Sequence, residues 1–164
     1  QGEEFAVGVG ADEALIDRIT VERDGDTLVV GSERWSWAND AHLRLDVVVP
    51  QLSLLSVEGG ADVQLSGLDA ERFEIEVDGA GDIRGTDARI DELEIEIDGA
   101  ANVDFVDSRV TTADVRISGA GEVALTMAGG ELTGRISGVG SITYAGEISR
   151  ESVDIDGLGS VERR

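Results

Sequence analysis

The 164-residue sequence has no cysteine and no lysine, one proline, one histidine, and only 4% aromatic residues. Each shortage excludes something. Without cysteine there is no disulfide, no thiolate metal site and no cysteine nucleophile. Serine-hydrolase chemistry would have to run through His42, and no nucleophile-elbow sequence is present to serve it. With so few aromatics the core must be built from Val, Ile, Leu and Ala. No apolar run reaches membrane-spanning length, and no signal-peptide segment is visible. The chain opens on Gln1, a start that a removed signal peptide or a shortened chain would each produce.

The missing lysine leaves 13 basic residues, all arginine, against 35 acids, for a net charge of −22. Residues 1–50 hold 11 acids and 4 arginines, and residues 51–164 hold 24 and 9, so the bias runs through the whole chain. A field of this sign repels phosphate backbones and anionic lipid, which argues against nucleic acid as a partner. It suits cations, basic partners or salty surroundings.

Glycine, by contrast, is abundant, at 22 residues, and it is periodic. Glu58-Gly-Gly-Ala-Asp-Val63, Asp78-Gly-Ala-Gly-Asp-Ile83, Asp98-Gly-Ala-Ala-Asn-Val103, Ser118-Gly-Ala-Gly-Glu-Val123, Ser137-Gly-Val-Gly-Ser-Ile142 and Asp156-Gly-Leu-Gly-Ser-Val161 are six copies of one motif. Their leading glycines stand at 59, 79, 99, 119, 138 and 157, in steps of 20, 20, 20, 19 and 19. Before each motif, apolar and polar residues alternate: Phe73, Ile75 and Val77 against Glu74, Glu76 and Asp78, then Leu93, Ile95 and Ile97 against Glu94, Glu96 and Asp98. Period-two alternation marks strands with one buried face. A second strand follows each motif (Val63/Leu65, Val103/Phe105, Val123/Leu125, Ile142/Tyr144), and a third apolar position recurs at Ala70, Ile90 and Val110.

An antiparallel meander has no need of identical turns, and a propeller blade needs about twice this period. A solenoid stacks each coil about 4.8 Å above the last, so one corner must fit every coil. The expected fold is therefore all-β: a right-handed parallel β-helix of about six 19–20-residue coils over residues 51–164. Residues 1–50 break the repeat. Phe5–Val9, Leu43–Val49 and an Ile19–Glu22/Thr27–Val30 hairpin turning at Asp24-Gly25 are its expected strands, Asp12–Arg18 could form a helical turn, and the whole segment is expected to serve as an N-terminal β cap and first irregular coils.

Val48-Val-Pro-Gln-Leu52, Leu54-Leu-Ser-Val57, the Gly-Ala-Gly-Asp-Val type corners and the closing Gly138-Val-Gly-Ser-Ile-Thr-Tyr-Ala-Gly146 and Gly157-Leu-Gly-Ser-Val161 resemble the auto-transporter adhesin head GIN domain family. The resemblance runs over nearly the whole chain. It implies a β-helical domain of exported bacterial proteins, periplasmic, outer-membrane-associated or extracellular, with adhesion as the suggested role and no catalytic residues to carry over. The strong acidity and the Ala101-Asn102 corner depart from the pattern.

Candidate sites follow from the repeat. The Gly-x-Gly-Asp corners superficially match calcium-binding nonapeptide or phosphate-cradling loops, but the period is wrong and no lysine follows; tight corners requiring positive φ are expected. Stacking should align Glu58, Asp78 and Asp98, and separately Asp62, Asp82, Asn102 and Glu122. Such like charges repel by only about 1 kcal/mol in water, and Ca²⁺ would relieve that. Asp78, Asp98, Asp82 and Asn102 are thus a candidate Ca²⁺ ladder, weighed against a simply solvated acidic face. Glu76 and Glu96 are followed at the same rank by Arg116 and Arg135, a partly self-compensated row.

Trp35 and Trp37, two apart, can form a sugar-stacking platform as ligand residues or seal the end of the solenoid; the seal is preferred because Trp is usually largely buried. The leading expectation is an exported, non-enzymatic surface-binding or structural module acting on a protein or polysaccharide. A carboxylate-dependent, Ca²⁺-assisted polysaccharide-active enzyme and a calcium-stabilised scaffold are the alternatives. Self-association through solenoid ends or faces is a further expectation.

Overall fold

The structure, a computed structural model, describes residues 6–11, 19–32 and 43–164. The chain divides into two compact units, residues 2–50 and residues 51–164. In the first, β1 (Ala6–Ala11) pairs antiparallel with β4 (Leu43–Val48). A hairpin joins β2 (Ile19–Asp24) to β3 (Thr27–Ser32). Its two-residue turn is Gly25-Asp26, with Gly25 at φ 60°, a conformation that glycine adopts without a Cβ penalty. Arg23 Nε donates to Gly25 O at 2.8 Å and fastens the turn.

The second unit is a parallel β-solenoid of about six coils. On the side that precedes each glycine corner, β5 (Leu54–Val57), β7 (Asp69–Val77), the end of β8 (Ala80–Ile97), the end of β9 (Ala100–Ile117), β11 (Glu131–Ile136) and β13 (Arg150–Ile155) stack in parallel. On the side that follows it, β6 (Gly60–Ser66), the starts of β8 and β9, β10 (Ala120–Ala128), β12 (Val139–Glu147) and β14 (Leu158–Arg163) do the same. Among the described residues no helix occurs.

The alternation seen in sequence becomes burial. Ile75, Ile95 and Val115 occupy one rank, Val77, Ile97, Ile117 and Ile136 another, and Ile83, Val103, Val123 and Ile142 line the facing strands, all buried. Each such side chain contributes about 1.5–3 kcal/mol on leaving water. The expected third position follows suit, with Ile90 and Val110 buried and Ala70 half-buried. Phe105 takes the space that a side chain on the neighbouring coil would fill. A Cβ on Gly85 would lie 2.3 Å from its ring, so the glycine below makes room for the aromatic above.

The corner glycines need a correction. Positive φ occurs at Gly25, Gly67, Gly129, Gly134 and Gly146, and at none of the six leading corner glycines. Their constraint is the next coil. A Cβ on Gly79 would sit 1.8 Å from Gly59 O, on Gly99 1.8 Å from Gly79 O, on Gly119 1.9 Å from Gly99 O, and the pattern continues through Gly138 and Gly157. Hydrogen bonds run straight through the stack at this point, for example Ala100 N to Gly79 O and Ala120 N to Gly99 O, both 2.9 Å. The corners are glycine because backbone stacks on backbone there. The left-handed corner lies elsewhere in the coil, at Gly67 and, one coil on, at Asp87 (φ 53°).

Candidate functional site

Each corner turns directly into an outward-facing rank: Gly60, Ala80, Ala100, Ala120, Val139 and Leu158, in mutual register. These are the residues that follow the leading glycine of each motif. Ala80, Ala100 and Ala120 are exposed, Val139 is 56% exposed and Leu158 74%. A strand followed by backbone-on-backbone stacking leaves them no inward direction, so the row is small and apolar where a solvated face would be polar. Two residues further on, in the same register, stand Asp62, Asp82, Asn102, Glu122, Ser141 and Ser160.

These two rows form the walls of a groove of about 600 Å³ that runs along the coil axis. Ala100, Ala120, Val139 and Leu158 line one side, and Asp82, Asn102, Glu122 and Ser141 the other. Gly81, Ala101, Gly121 and Gly140 lie along its floor, leaving it shallow and lined largely by backbone. The sequence carried a signal for this groove: the residue after every leading corner glycine is small or apolar although it is exposed, a combination that neither a core position nor a solvated turn requires.

The expected acidic ranks align as the period implies. Asp82 and Asn102 are direct neighbours, and Asn102 Nδ2 donates to Asp82 Oδ1 at 2.7 Å. This amide removes part of the repulsion that two stacked carboxylates would feel. Asp78 and Asp98 occupy equivalent exposed corners on adjacent coils, where Asp78 N donates to Val57 O and Asp98 N to Val77 O, both at 3.0 Å. Among the described residues no cluster of three or more His, Asp or Glu side chains is arranged to hold a metal ion. Trp35, Trp37 and His42 lie outside the described residues.

The face before the corner is a different surface. Glu76, Glu96, Arg116 and Arg135 share a rank, as expected. The ion pairs, however, run diagonally. Arg116 Nη1 meets Glu94 Oε1 at 2.5 Å and its Nη2 meets Asp114 Oδ1 at 2.9 Å, while Arg72 reaches Glu94 Oε2 at 2.7 Å. The Arg116 hydrogen bond, aided by the charges of Arg116 and Arg72 and opposed by burial, holds the Glu94 carboxyl below its ordinary range. Thr133 Oγ1 donates to Asp114 Oδ2 at 2.9 Å, and Arg135 pairs with Asp156. The arginines here pair with carboxylates, whereas Asp82 beside the groove meets the amide of Asn102.

The last coil changes character in a way the alternation did not announce. Glu151 takes the rank of Leu132, and Arg163 that of Tyr144. Tyr144 Oη donates to Glu151 Oε2 at 2.7 Å, and Arg163 Nη2 to Gly146 O at 2.8 Å. The hydrogen bond to Glu151, with burial, pushes the Tyr144 phenol above its usual value.

Residues 51–164 thus form an acidic, parallel β-solenoid with exposed ladders and a shallow surface groove. Residues 1–124 match the family described as "Putative auto-transporter adhesin, head GIN domain", and the chain belongs to that family. It is similar to a crystal structure titled as a "putative adhesin" from Bacteroides fragilis NCTC 9343, with a TM-score of 0.74 and 18% identity over 98% of this chain and 83% of that one. At such identity the likeness is one of fold. A "Putative lipid binding protein" from Parabacteroides distasonis ATCC 8503 aligns with a TM-score of 0.46 and 18% identity over 100% of this chain and 86% of that one, and carries no argument. No curated protein matches the chain. No helix among the described residues is long and apolar enough to cross a membrane.

Proposed function

We propose that this protein is an exported, non-enzymatic binding module of the bacterial cell surface, and that the groove beside the glycine corners is its binding surface. The observation that carries the reading is the groove itself: a small apolar rank and a carboxylate–amide rank held in register over successive coils. Membership of a family described in terms of adhesion supports the surface role. Proteins and polysaccharides are the two classes of partner such a surface suits, because its carboxylates and amide can bond hydroxyls or cations while its alanines contact apolar faces.

Peptide and glycan arrays probed with the wild type and with Ala120→Phe test this. Ala120 is exposed, so the aromatic ring fills the groove without entering the core. Loss of the wild-type signals in a variant that melts normally is the expected result; signals unchanged by the obstruction would sink the reading. Release of reducing ends from any polysaccharide on the array, dependent on Ca²⁺, would favour the carboxylate enzyme instead. The cap role of residues 1–50 belongs to the same proposal. Trp35→Ala is expected to lower the melting temperature, whereas a loss of glycan binding at full stability would make Trp35 and Trp37 a stacking platform.

A further inference from the structure

The coil made by β13 and β14 leaves two strand edges without a neighbour. Among the described residues β13 pairs with β11 alone and β14 with β12 alone. The far side of each therefore presents backbone N–H and C=O groups to which a further strand can pair. Next to the corner this coil is also apolar. Ile155 follows Ile136 in rank and is 41% exposed, and Val161 follows Ile142 and is half-buried. A second copy stacked head to tail would meet these ranks well, because by register its Val57 would fall on Ile155 and its Val63 on Val161.

Further from the corner, two breaks in the repeat stand against that stacking. The inward rank of Phe105, Leu125 and Tyr144, all buried, ends on Arg163. The inward rank of Ala113 and Leu132, both fully buried, ends on Glu151. Both charged residues are exposed, and both are tied to the coil beneath: Glu151 Oε2 accepts from Tyr144 Oη at 2.7 Å, and Arg163 Nη2 donates to Gly146 O at 2.8 Å. The same stacked copy would lay its Ser53 on Glu151 and its Leu65 on Arg163, and neither carries a charge. Two ions would thus leave water with no partner of opposite sign supplied by the incoming coil, the costliest form of burial. Inward-pointing charge is a known protection of a sheet edge, and repeat arrays need a polar face on their terminal unit. We infer that the coil of β13 and β14 is a stop, in which inward-facing Glu151 and Arg163 bar a second copy of this chain from extending the solenoid end to end. This rests on register and burial within the solenoid and is independent of the groove.

Sedimentation equilibrium of the wild type and of Glu151→Leu/Arg163→Tyr, over a range of concentrations, tests the stop. The double variant restores at both ranks the residues of the preceding coil. Its average mass is expected to climb with concentration to about twice that of the wild type or more. A bulky maleimide on Glu162→Cys, in the exposed edge strand, should return it to the wild-type value. A double variant with the wild-type mass at every concentration would overturn the inference. So would association of the double variant that the label at 162 leaves untouched, or association of the wild type that the same label removes. If the double variant does not fold, Arg163→Tyr alone, which keeps the Tyr144–Glu151 hydrogen bond, goes through the same comparison with the same outcomes.

Discussion

A single methyl group separates a tolerated corner from an impossible one. At Gly99 a Cβ would fall 1.8 Å from Gly79 O, a backbone atom that itself sits in the hydrogen-bonded stack. At Gly59, on the first coil, it would meet nothing within 4 Å. Gly99→Ala is therefore expected to cost about 3 kcal/mol or more, or to prevent folding, while Gly59→Ala stays within about 0.5 kcal/mol. Urea denaturation of the pair checks this, and equal effects would mean that the corners are glycine for some reason other than stacking. Glu94 offers a second measurement at this scale. Its carboxyl is held below its ordinary value by Arg116 and Arg72, so the resulting stability is present above the unfolded value of 4.5 and drains away as pH falls through the folded one. Arg116→Gln should flatten the acid limb of the stability–pH profile, by less than about 1 kcal/mol because the pair is partly exposed. Tyr144 has the opposite sign. Its raised value means stability that is intact below the ordinary phenol range and lost as pH climbs through the folded value, a loss that Tyr144→Phe should abolish.

At the scale of the strand, the fold stacks like on like, and the protein relieves the consequence locally. Asp62, Asp82, Asn102 and Glu122 would form an unbroken acidic rank but for the amide at 102. Asn102→Asp replaces the 2.7 Å hydrogen bond with repulsion between adjacent coils, and should destabilise by about 1 kcal/mol at low salt, recovering in about 0.5 M NaCl. A lower melting temperature that salt does not restore would indicate lost packing rather than charge. These ranks were legible from the 20-residue period because register in a solenoid is set by chain length per coil, and Arg116 above Glu96 followed directly. The diagonal pairs from Arg72 and Arg116 to Glu94 were not, since which of two neighbouring ranks a long arginine reaches depends on rotamers and not on register. The role of the corner glycines was misjudged for a related reason. Positive φ is a property of one residue, whereas the clash that demands glycine here is made with the coil below and exists only once the coils are stacked.

Across the whole molecule, the stacked solenoid was the most legible feature, because six copies of one corner admit little else. The groove was not read from the sequence, because the small or apolar residue after each corner glycine gains its meaning only from its exposure and from the second row beside it. Calcium bears on the molecule at this scale too. If Asp78, Asp98, Asp82 and Asn102 form cation sites, millimolar Ca²⁺ should raise the melting temperature well beyond NaCl of equal ionic strength, as a ligand that binds only the folded state does; equal effects of the two salts would mark a solvated acidic face. The claim on which the account turns is that one face of the solenoid binds and the other does not. The absence of cysteine allows it to be tested face by face. Single cysteines at Ala120, in the groove, and at Arg135, on the face before the corner, can each be coupled to a bulky maleimide and the labelled proteins compared on the same arrays. The account predicts that the label at 120 abolishes binding and the label at 135 leaves it intact. Binding that survives at 120 and is lost at 135 would contradict it.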